Sequence, residues 1–95
     1  MPKHYPYMIA GYYLYFTAEW IVEAMHVHAS DRKLTEYNSA KLFVRADGST
    51  TVERQGSLSD KELNKIRKFI KENYIDMYKT WKSFGGEDYY KKSED

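Results

Sequence analysis

The chain contains no cysteine. Disulfide bonds and thiolate chemistry are therefore excluded, and a zinc site would have to use histidine and carboxylate ligands. Long apolar runs are also lacking, because Glu19 and Glu23 interrupt the apolar stretch at residues 7–25. That stretch is too polar for a membrane span and lacks the basic start of a signal peptide. We therefore expect no membrane association and, by default, a cytoplasmic location.

The motifs of the best-known enzyme classes are missing as well. The sequence shows no glycine-rich phosphate loop, no nucleophile elbow and no His-Glu-x-x-His zinc helix. Each of these motifs places the groups that a particular chemistry requires at a fixed spacing. Their absence favours a protein that is not an enzyme, and it gives no reason to expect a cofactor.

The chain does contain an unusual amount of tyrosine. Ten tyrosines contribute to an aromatic content of 17%, in a chain of 95 residues that is 42% hydrophobic and carries a net charge of +1. This length and composition are typical of one small folded domain. We expect the domain to span residues 1–86 and residues 87–95 to form a disordered tail. The composition leaves the oligomeric state open.

Four segments rich in aromatic or β-branched residues predict β-strands. These segments cover residues 7–16, 25–29, 39–46 and 50–54. The polar stretch between the second and third segments, residues 30–38, predicts a loop. Asp47-Gly48 predicts a two-residue hairpin turn, because glycine tolerates the positive φ that such a turn needs. This turn would pair Phe43 with Val52 and Val44 with Thr51.

The beginning of a helix is the clearest local signal. Ser59 is a good N-cap, and Glu62 three residues later completes a capping box. Leu58 and Leu63 occupy the positions of a hydrophobic staple. The pair Gly85-Gly86 is a typical helix terminator.

The length of this helical segment predicts a break. One straight helix of that length, about 37 Å, would project beyond a domain with a diameter of roughly 30 Å. We expect the break near Asn73, because asparagine tolerates the left-handed backbone conformation. The predicted fold is therefore α+β, an antiparallel β-meander of about four strands with two C-terminal helices packed on one face.

Three parts of the sequence together resemble a known family. They are Glu23-Ala24-Met25-His26-Val27-His28-Ala29, the run Ala40-Lys41-Leu42-Phe43-Val44, and the ending with Trp81 and Phe84. They are similar to the small bacterial family called domain of unknown function 4160, whose members read Glu-Pro-Pro-His-x-His after an aromatic strand. This chain has Ala24 and Met25 in place of the prolines. The resemblance implies a protein partner or a nucleic acid, as in a toxin–antitoxin pair.

His26 and His28 are the first candidate site. On a strand, residues two apart share a face with Cα atoms about 7 Å apart, so both rings can serve one reaction or one metal ion. They are candidate acid and base groups around a phosphodiester, as in a nuclease-like hydrolase. A metal would need a third ligand, for which the candidates are Glu23, Asp31, Glu36 and His4. The more common role is structural, and it is favoured here over catalysis and metal binding.

A basic helix face is the second candidate site. It consists of Lys61, Lys65, Arg67, Lys68 and Lys71, which Lys79 and Lys82 would extend. Such a face can contact phosphates or an acidic protein, although charges at these spacings most often only face solvent. Exposed strand aromatics such as Tyr13 and Tyr15 are candidates for stacking on bases.

Two functions remain open from the sequence. The favoured one is a non-catalytic module that binds a protein partner or nucleic acid, and the alternative is a small hydrolase that uses His26 and His28. The direction of the two rings separates them. Rings that open into a cleft beside Lys41, Arg45 or Arg54 favour catalysis, whereas rings sealed under the helix favour a structural role.

Overall fold

The computed structural model describes residues 3–16, 23–31 and 39–91. Four strands form one antiparallel sheet, and one helix follows them. The strands, in the order β1-β2-β3-β4 across the sheet, are β1 (Tyr13–Tyr15), β2 (His26–Ser30), β3 (Ala40–Val44) and β4 (Thr50–Arg54), and the helix is α1 (Asp60–Ser83). The predicted α+β class and the meander order are confirmed. The predicted loop at residues 30–38 falls mostly outside the described residues.

The first strand is much shorter than predicted. A tight turn interrupts the aromatic run, in which the backbones of Ile9 and Tyr12 exchange hydrogen bonds of 2.8 and 3.0 Å. Ala10 and Gly11 take positive φ values of 54° and 90° inside this turn. The residues before the turn fold back along β1, where the His4 amide donates to the Leu14 carbonyl oxygen. The prediction of a first strand in this segment is confirmed, but its bounds of residues 7–16 are wrong. The turn at Ala10 and Gly11 divides the apolar run.

The hairpin between β3 and β4 is shifted by one residue from the predicted register. Phe43 pairs with Thr51 and Val44 with Thr50. The turn has three residues, because the Arg45 amide donates to the Ser49 carbonyl oxygen and Gly48 adopts a φ of 85°. A three-residue loop that ends in a left-handed glycine is the next most common hairpin after the two-residue form. Glycine at position 48 fits both forms, and the sequence does not distinguish them.

The predicted helix start is confirmed. The Ser59 hydroxyl accepts from the Glu62 amide, and the Glu62 carboxylate accepts from the Ser59 amide. Leu58 and Leu63 are both buried beside this cap, as the hydrophobic staple requires. The helix ends at Ser83, and Gly85 follows with a φ of 83°.

The predicted break near Asn73 is wrong. The helix continues for 24 residues, and the Asn73 side-chain amide donates to the Phe69 carbonyl oxygen within it. Other segments cover both of its ends, so the helix does not overhang. The Tyr12 hydroxyl bonds to Glu62 in the first turn, and Phe16 packs against Trp81 in the last. These contacts remove the reason for a break.

The core lies between the sheet and α1. The buried sheet residues on this face include Leu14, Val27, Ala29, Leu42 and Val44, and the helix contributes Leu63, Ile66, Ile70, Met77 and Trp81. The strand alternation gives the opposite sheet face to Tyr15, His26, His28, Lys41 and Phe43. The polar candidates of the sheet therefore start from the face opposite to the main hydrophobic core, and the His26 ring still reaches the core residue Trp81.

The residues after the helix return to the sheet. The Tyr90 amide donates to the Val44 carbonyl oxygen, and the Met25 amide donates to the Asp88 carbonyl oxygen. The Tyr90 ring stacks on Phe43, with ring centroids 4.4 Å apart. A disordered tail was expected over residues 87–95; residues 87–91 make these contacts, and residues 92–95 lie outside the described residues.

Candidate functional site

A row of four side chains crosses the sheet on the face away from α1. The register places Tyr15 opposite His28, His28 opposite Lys41, and Lys41 opposite Arg54. One residue from each of the four strands thus forms a continuous line. Two of the four, Lys41 and Arg54, are positively charged at pH 7.

His28 is the most enclosed member of this row. Only 2% of its surface is exposed, and its ring stacks on Tyr15 with ring centroids 5.4 Å apart. The Ser39 hydroxyl lies 3.5 Å from His28 Nδ1. Burial, the neighbouring His26 and the positive charges of Lys41 and Arg54 lower the pKa of His28 to about 4. The ring is therefore neutral at pH 7.

His26 is also buried, with 5% of its surface exposed. Its ring contacts Trp81 at a centroid distance of 5.2 Å and His28 at 5.1 Å, in both cases edge to face. His26 Nδ1 lies 3.0 Å from the Ala24 carbonyl oxygen, which fixes the orientation of the ring. Both imidazoles are thus enclosed, His26 against Trp81 of α1 and His28 against Tyr15.

Glu23 supplies a carboxylate to the row. Both of its carboxylate oxygens lie 2.9 Å from Lys41 Nζ. The bond from Lys41 is the main reason that the pKa of Glu23 is lowered, and the nearby histidines lower it further. This pair lies at the surface, because the Glu23 side chain is 49% exposed and that of Lys41 is 15% exposed.

Arg54 completes the row through Ser39. Its Nε donates to the Ser39 carbonyl oxygen at 2.8 Å, and its Nη2 lies 3.5 Å from the Ser39 hydroxyl. Ser39 therefore lies between the guanidinium group and His28. The sequence prediction named Arg54 and Lys41 only as neighbours of a catalytic cleft. It missed Ser39, and it named Tyr15 for stacking on bases and not on His28. No local motif marks these residues, because strand pairing brings them together.

The described residues contain no group of three side chains placed to hold a metal ion. His26, His28 and Glu23 were the weak metal candidates, and His4 and Asp31 were possible third ligands. His4 is buried on the core side, where its ring packs on Phe16. Asp31 is exposed beyond the end of β2, and Glu36 lies outside the described residues. Nothing in the described site points to a metal.

The basic helix face divides into two groups. Lys61, Lys65 and Lys68 are exposed. Arg67 instead bonds to Thr50, with Nε 2.9 Å from the hydroxyl and Nη2 3.0 Å from the carbonyl oxygen. Lys71 Nζ donates to the Asp47 carbonyl oxygen in the hairpin turn. Arg67 therefore attaches α1 to β4, and Lys71 attaches it to the turn between β3 and β4.

The tyrosines proposed for base stacking are not both available. Tyr15 is fully buried beneath the sheet surface. Tyr13 is half-buried, and Lys3 Nζ lies over its ring, 4.1 Å from the centroid. The base-stacking hypothesis therefore has no open aromatic platform at these two positions.

Comparison with known proteins places the chain in a family. No curated protein and no solved structure matches it. Within the part of the chain that the structure describes, α1 lacks the length of apolar sequence that a membrane crossing requires. A family model described as "Domain of unknown function (DUF4160)" matches residues 11–82. This match includes every strand and nearly all of the helix, and the chain belongs to the domain of unknown function 4160 family.

Proposed function

We propose that this domain is a non-catalytic binding module that contacts the phosphate backbone of a nucleic acid through a lysine stripe. The lysine stripe consists of Lys61, Lys65, Lys68 and Lys79 on the outer face of α1. All four are exposed. The observation that carries the proposal is the continuity of the helix, because an unbroken helix aligns these side chains along one straight edge of the molecule.

The geometry of the stripe suits a repeating charge. Lys61 and Lys79 are 18 positions apart, so the stripe is about 27 Å long. The steps from Lys61 to Lys65 and from Lys65 to Lys68 are about 6 and 4.5 Å along the axis. The step from Lys68 to Lys79 is about 16.5 Å, and the exposed Glu72 lies on the same face between them. The first two steps are comparable to the repeat of phosphates along a nucleic-acid strand, and each contact releases a counterion. A single anionic group would use only one or two of these lysines.

The stripe is chemically suited to position a nucleic acid but not to read its sequence. Lysine is a flexible point charge without the two-pronged geometry that recognises a base edge. Contacts to phosphates fix the position of a protein without discriminating among sequences. We therefore expect weak sequence preference and a strong dependence on salt.

The environment of the histidines supports the non-catalytic interpretation. Both rings are enclosed, and a His28 pKa of about 4 leaves the ring uncharged at pH 7, far from the pKa that suits a general acid or base. General acid–base catalysis works best when the pKa of the catalytic group is near the working pH. The hydrolase alternative is therefore the less favoured function. A protein partner, as in a toxin–antitoxin pair, stays a prediction made from the family resemblance.

Binding of a labelled RNA hairpin or a short DNA duplex, measured by fluorescence anisotropy at several salt concentrations, tests the proposal. The variant Lys61→Glu/Lys68→Glu should bind at least about tenfold more weakly, and the slope of log K against log salt should decrease by about two. The matched control is Lys3→Glu/Lys91→Glu, which makes the same change in net charge away from the helix. Equal weakening in both variants, or no binding by the natural chain, would refute the lysine stripe.

A further inference from the structure

An exposed tyrosine ring lies on a second tyrosine at the side of α1. Tyr7 is 53% exposed. Its ring stacks on Tyr5, with ring centroids 5.4 Å apart and an angle of 27° between the ring planes. Tyr5 therefore covers one face of the Tyr7 ring, and the exposed surface belongs to the opposite face and the ring edge.

The ring beneath, that of Tyr5, is anchored to the helix at two points. It packs edge to face against Phe69 with ring centroids 5.3 Å apart, and its hydroxyl donates to Asp76 Oδ2 at 2.7 Å. Phe69 and Asp76 are seven residues apart and so lie on one side of α1, two turns from each other. The Tyr5 ring is thus held in place, and it gives Tyr7 a fixed support. A ring that is supported before binding loses less conformational freedom on binding.

This tyrosine stack lies beside the lysine stripe. Lys61, Lys65 and Phe69 follow one another at steps of four residues, and residues at that spacing are neighbours on a helix surface. They form one row, which leads from two exposed ammonium groups to the ring on which Tyr5 packs. The tyrosine stack therefore continues the row of positive charge.

We infer that Tyr7 stacks on an unpaired base of a single-stranded nucleic acid whose phosphates lie on Lys61, Lys65 and Lys68. This inference rests on the function proposed above, and it names the class of nucleic acid that the lysine stripe binds. Tyr7 supplies the contact with a base, and the lysines supply the contacts with the backbone.

Stacking on a side chain requires a base that is not part of a duplex. In a duplex, the flat faces of each base are covered by the neighbouring base pairs, so a tyrosine at the backbone cannot reach them. An unpaired base can turn outward and lie on the ring. Every base has such a face, so this contact adds affinity for single strands with little preference for sequence. The lysines also contact only phosphates, and the two kinds of contact therefore favour the same ligand.

Two carboxylates limit the extent of the contact along α1. Glu72 is exposed between Lys68 and Lys79, where its negative charge repels a phosphate. Asp76 is also exposed, and it accepts the hydrogen bond from Tyr5. We therefore place the phosphates on the first half of the lysine stripe, which is the half that leads to Phe69.

Tyr7 was not among the tyrosines that the sequence suggested for base stacking. The strand predicted at residues 7–16 would have placed Tyr7 within the sheet, together with Tyr13 and Tyr15. The turn at Ala10 and Gly11 instead separates Tyr7 from β1. The contacts of Tyr5 with α1 then place Tyr7 beside the helix.

Fluorescence anisotropy with a labelled single strand of about ten thymidine nucleotides tests this inference. Tyr7→Ala should bind this strand at least about fivefold more weakly than the natural chain, because the stacked ring is lost. The slope of log K against log salt should stay the same, since no charge is removed. Tyr7→Phe keeps the ring and should bind as the natural chain does. The matched control is Met8→Ala, at a neighbouring position that is 41% exposed, and it should bind normally.

Two further probes isolate the stacking contact from the charge. An abasic strand of the same length has the same phosphates and no bases, so Tyr7→Ala and the natural chain should bind it equally. A duplex that contains the thymidine sequence should likewise show no difference between the two proteins. In NMR spectra, the thymidine strand should move the Tyr7 ring protons upfield, because a stacked base shields them. The abasic strand should not.

The outcomes separate the failure of this inference from the failure of the lysine stripe. Equal binding of the thymidine strand by Tyr7→Ala and the natural chain, with a normal salt slope, would overturn the stacking contact alone. Equal weakening of strand and duplex binding in Tyr7→Ala would overturn it too, because the effect would not depend on an unpaired base. Lys61→Glu/Lys68→Glu should reduce the salt slope for both strand and duplex. No binding of any of these probes by the natural chain would overturn both proposals.

Discussion

Gly86 lies so close to the indole of Trp81 that position 86 has no room for a side chain. A Cβ atom there would be 2.6 Å from Trp81 Cδ2, and Trp81 is fully buried. The indole Nε1 also donates to the Glu87 carbonyl oxygen, which holds the returning chain against the ring. The end of the helix and the return to the sheet are therefore fixed together.

Gly86→Ala should lower the free energy of unfolding by about 2–3 kcal/mol, because the added methyl group overpacks a closed contact. Chemical denaturation measures this change. The matched control is Gly85→Ala, where a Cβ would meet nothing within 4 Å and only the φ of 83° is unfavourable. That control should cost about 1 kcal/mol. An equal cost at both positions would mean that the clash with Trp81 is relieved by movement of the chain.

Arg67 should contribute to stability and little to binding. Its side chain bonds to the hydroxyl and carbonyl oxygens of Thr50, a residue that is 3% exposed. Arg67→Met should lower the free energy of unfolding by about 1–3 kcal/mol, because it leaves a buried oxygen without its donor. Lys68→Met, on the exposed side of the helix, should leave stability nearly unchanged and weaken nucleic-acid binding. If Arg67→Met instead weakened nucleic-acid binding and left the free energy of unfolding unchanged, Arg67 would leave Thr50 to contact the nucleic acid.

Mild acid should destabilise the domain through two buried histidines. The pKa values of His4 and His28 are both lowered to about 4, mainly by burial. Between pH 6.5 and pH 4 the unfolded chain binds more protons than the folded one, so stability falls as the pH decreases. The loss should be on the order of 3 kcal/mol for each ring by pH 4.

Denaturation midpoints measured between pH 7 and pH 4 test this expectation. His4→Leu removes a ring whose two nitrogens have no hydrogen-bond partner among the described residues, so the variant should lose less stability in acid than the natural chain. An equally steep pH dependence in His4→Leu would mean that other groups cause the acid effect. The stability of this variant at pH 7 provides the reference for the comparison.

The returning segment should be part of the cooperative fold. Tyr89 stacks on Tyr78 with ring centroids 3.9 Å apart, and Tyr90 stacks on Phe43. Tyr89→Ala/Tyr90→Ala should lower the free energy of unfolding by about 2–4 kcal/mol, through lost burial and lost ring contacts. Tyr7→Ala, at a position that is 53% exposed, serves as the control and should have a much smaller effect. A negligible effect of the double change would mean that this segment is not needed for stability.

The sequence predicted best the features that depend on neighbours in the chain. Ser59 and Glu62 are three residues apart, so their reciprocal bonds form in any helix that begins there. The alternation of residues along β2 likewise placed His26 and His28 on one face. Such features need no knowledge of what packs against them.

The errors arose where two distant segments meet. A two-residue and a three-residue turn both suit Gly48, and the choice changed the pairings of Leu42, Phe43 and Val44 by one residue. The predicted break at Asn73 assumed an uncovered helix end, but Tyr12 and Phe16 cover the two ends. Turn length and helix continuity both depend on contacts that a local pattern does not contain.

By itself, the sequence determined the class of the fold, the capped start of the helix and the exposure of Lys61, Lys65 and Lys68. These follow from periodicity and capping, which act over a few residues. Only the tertiary structure decided that Arg67 is tied to Thr50 and that Lys41 lies between His28 and Arg54. Strand register and helix docking decide such contacts, and a shift of one residue in register exchanges Glu53 for Arg54 beside Lys41.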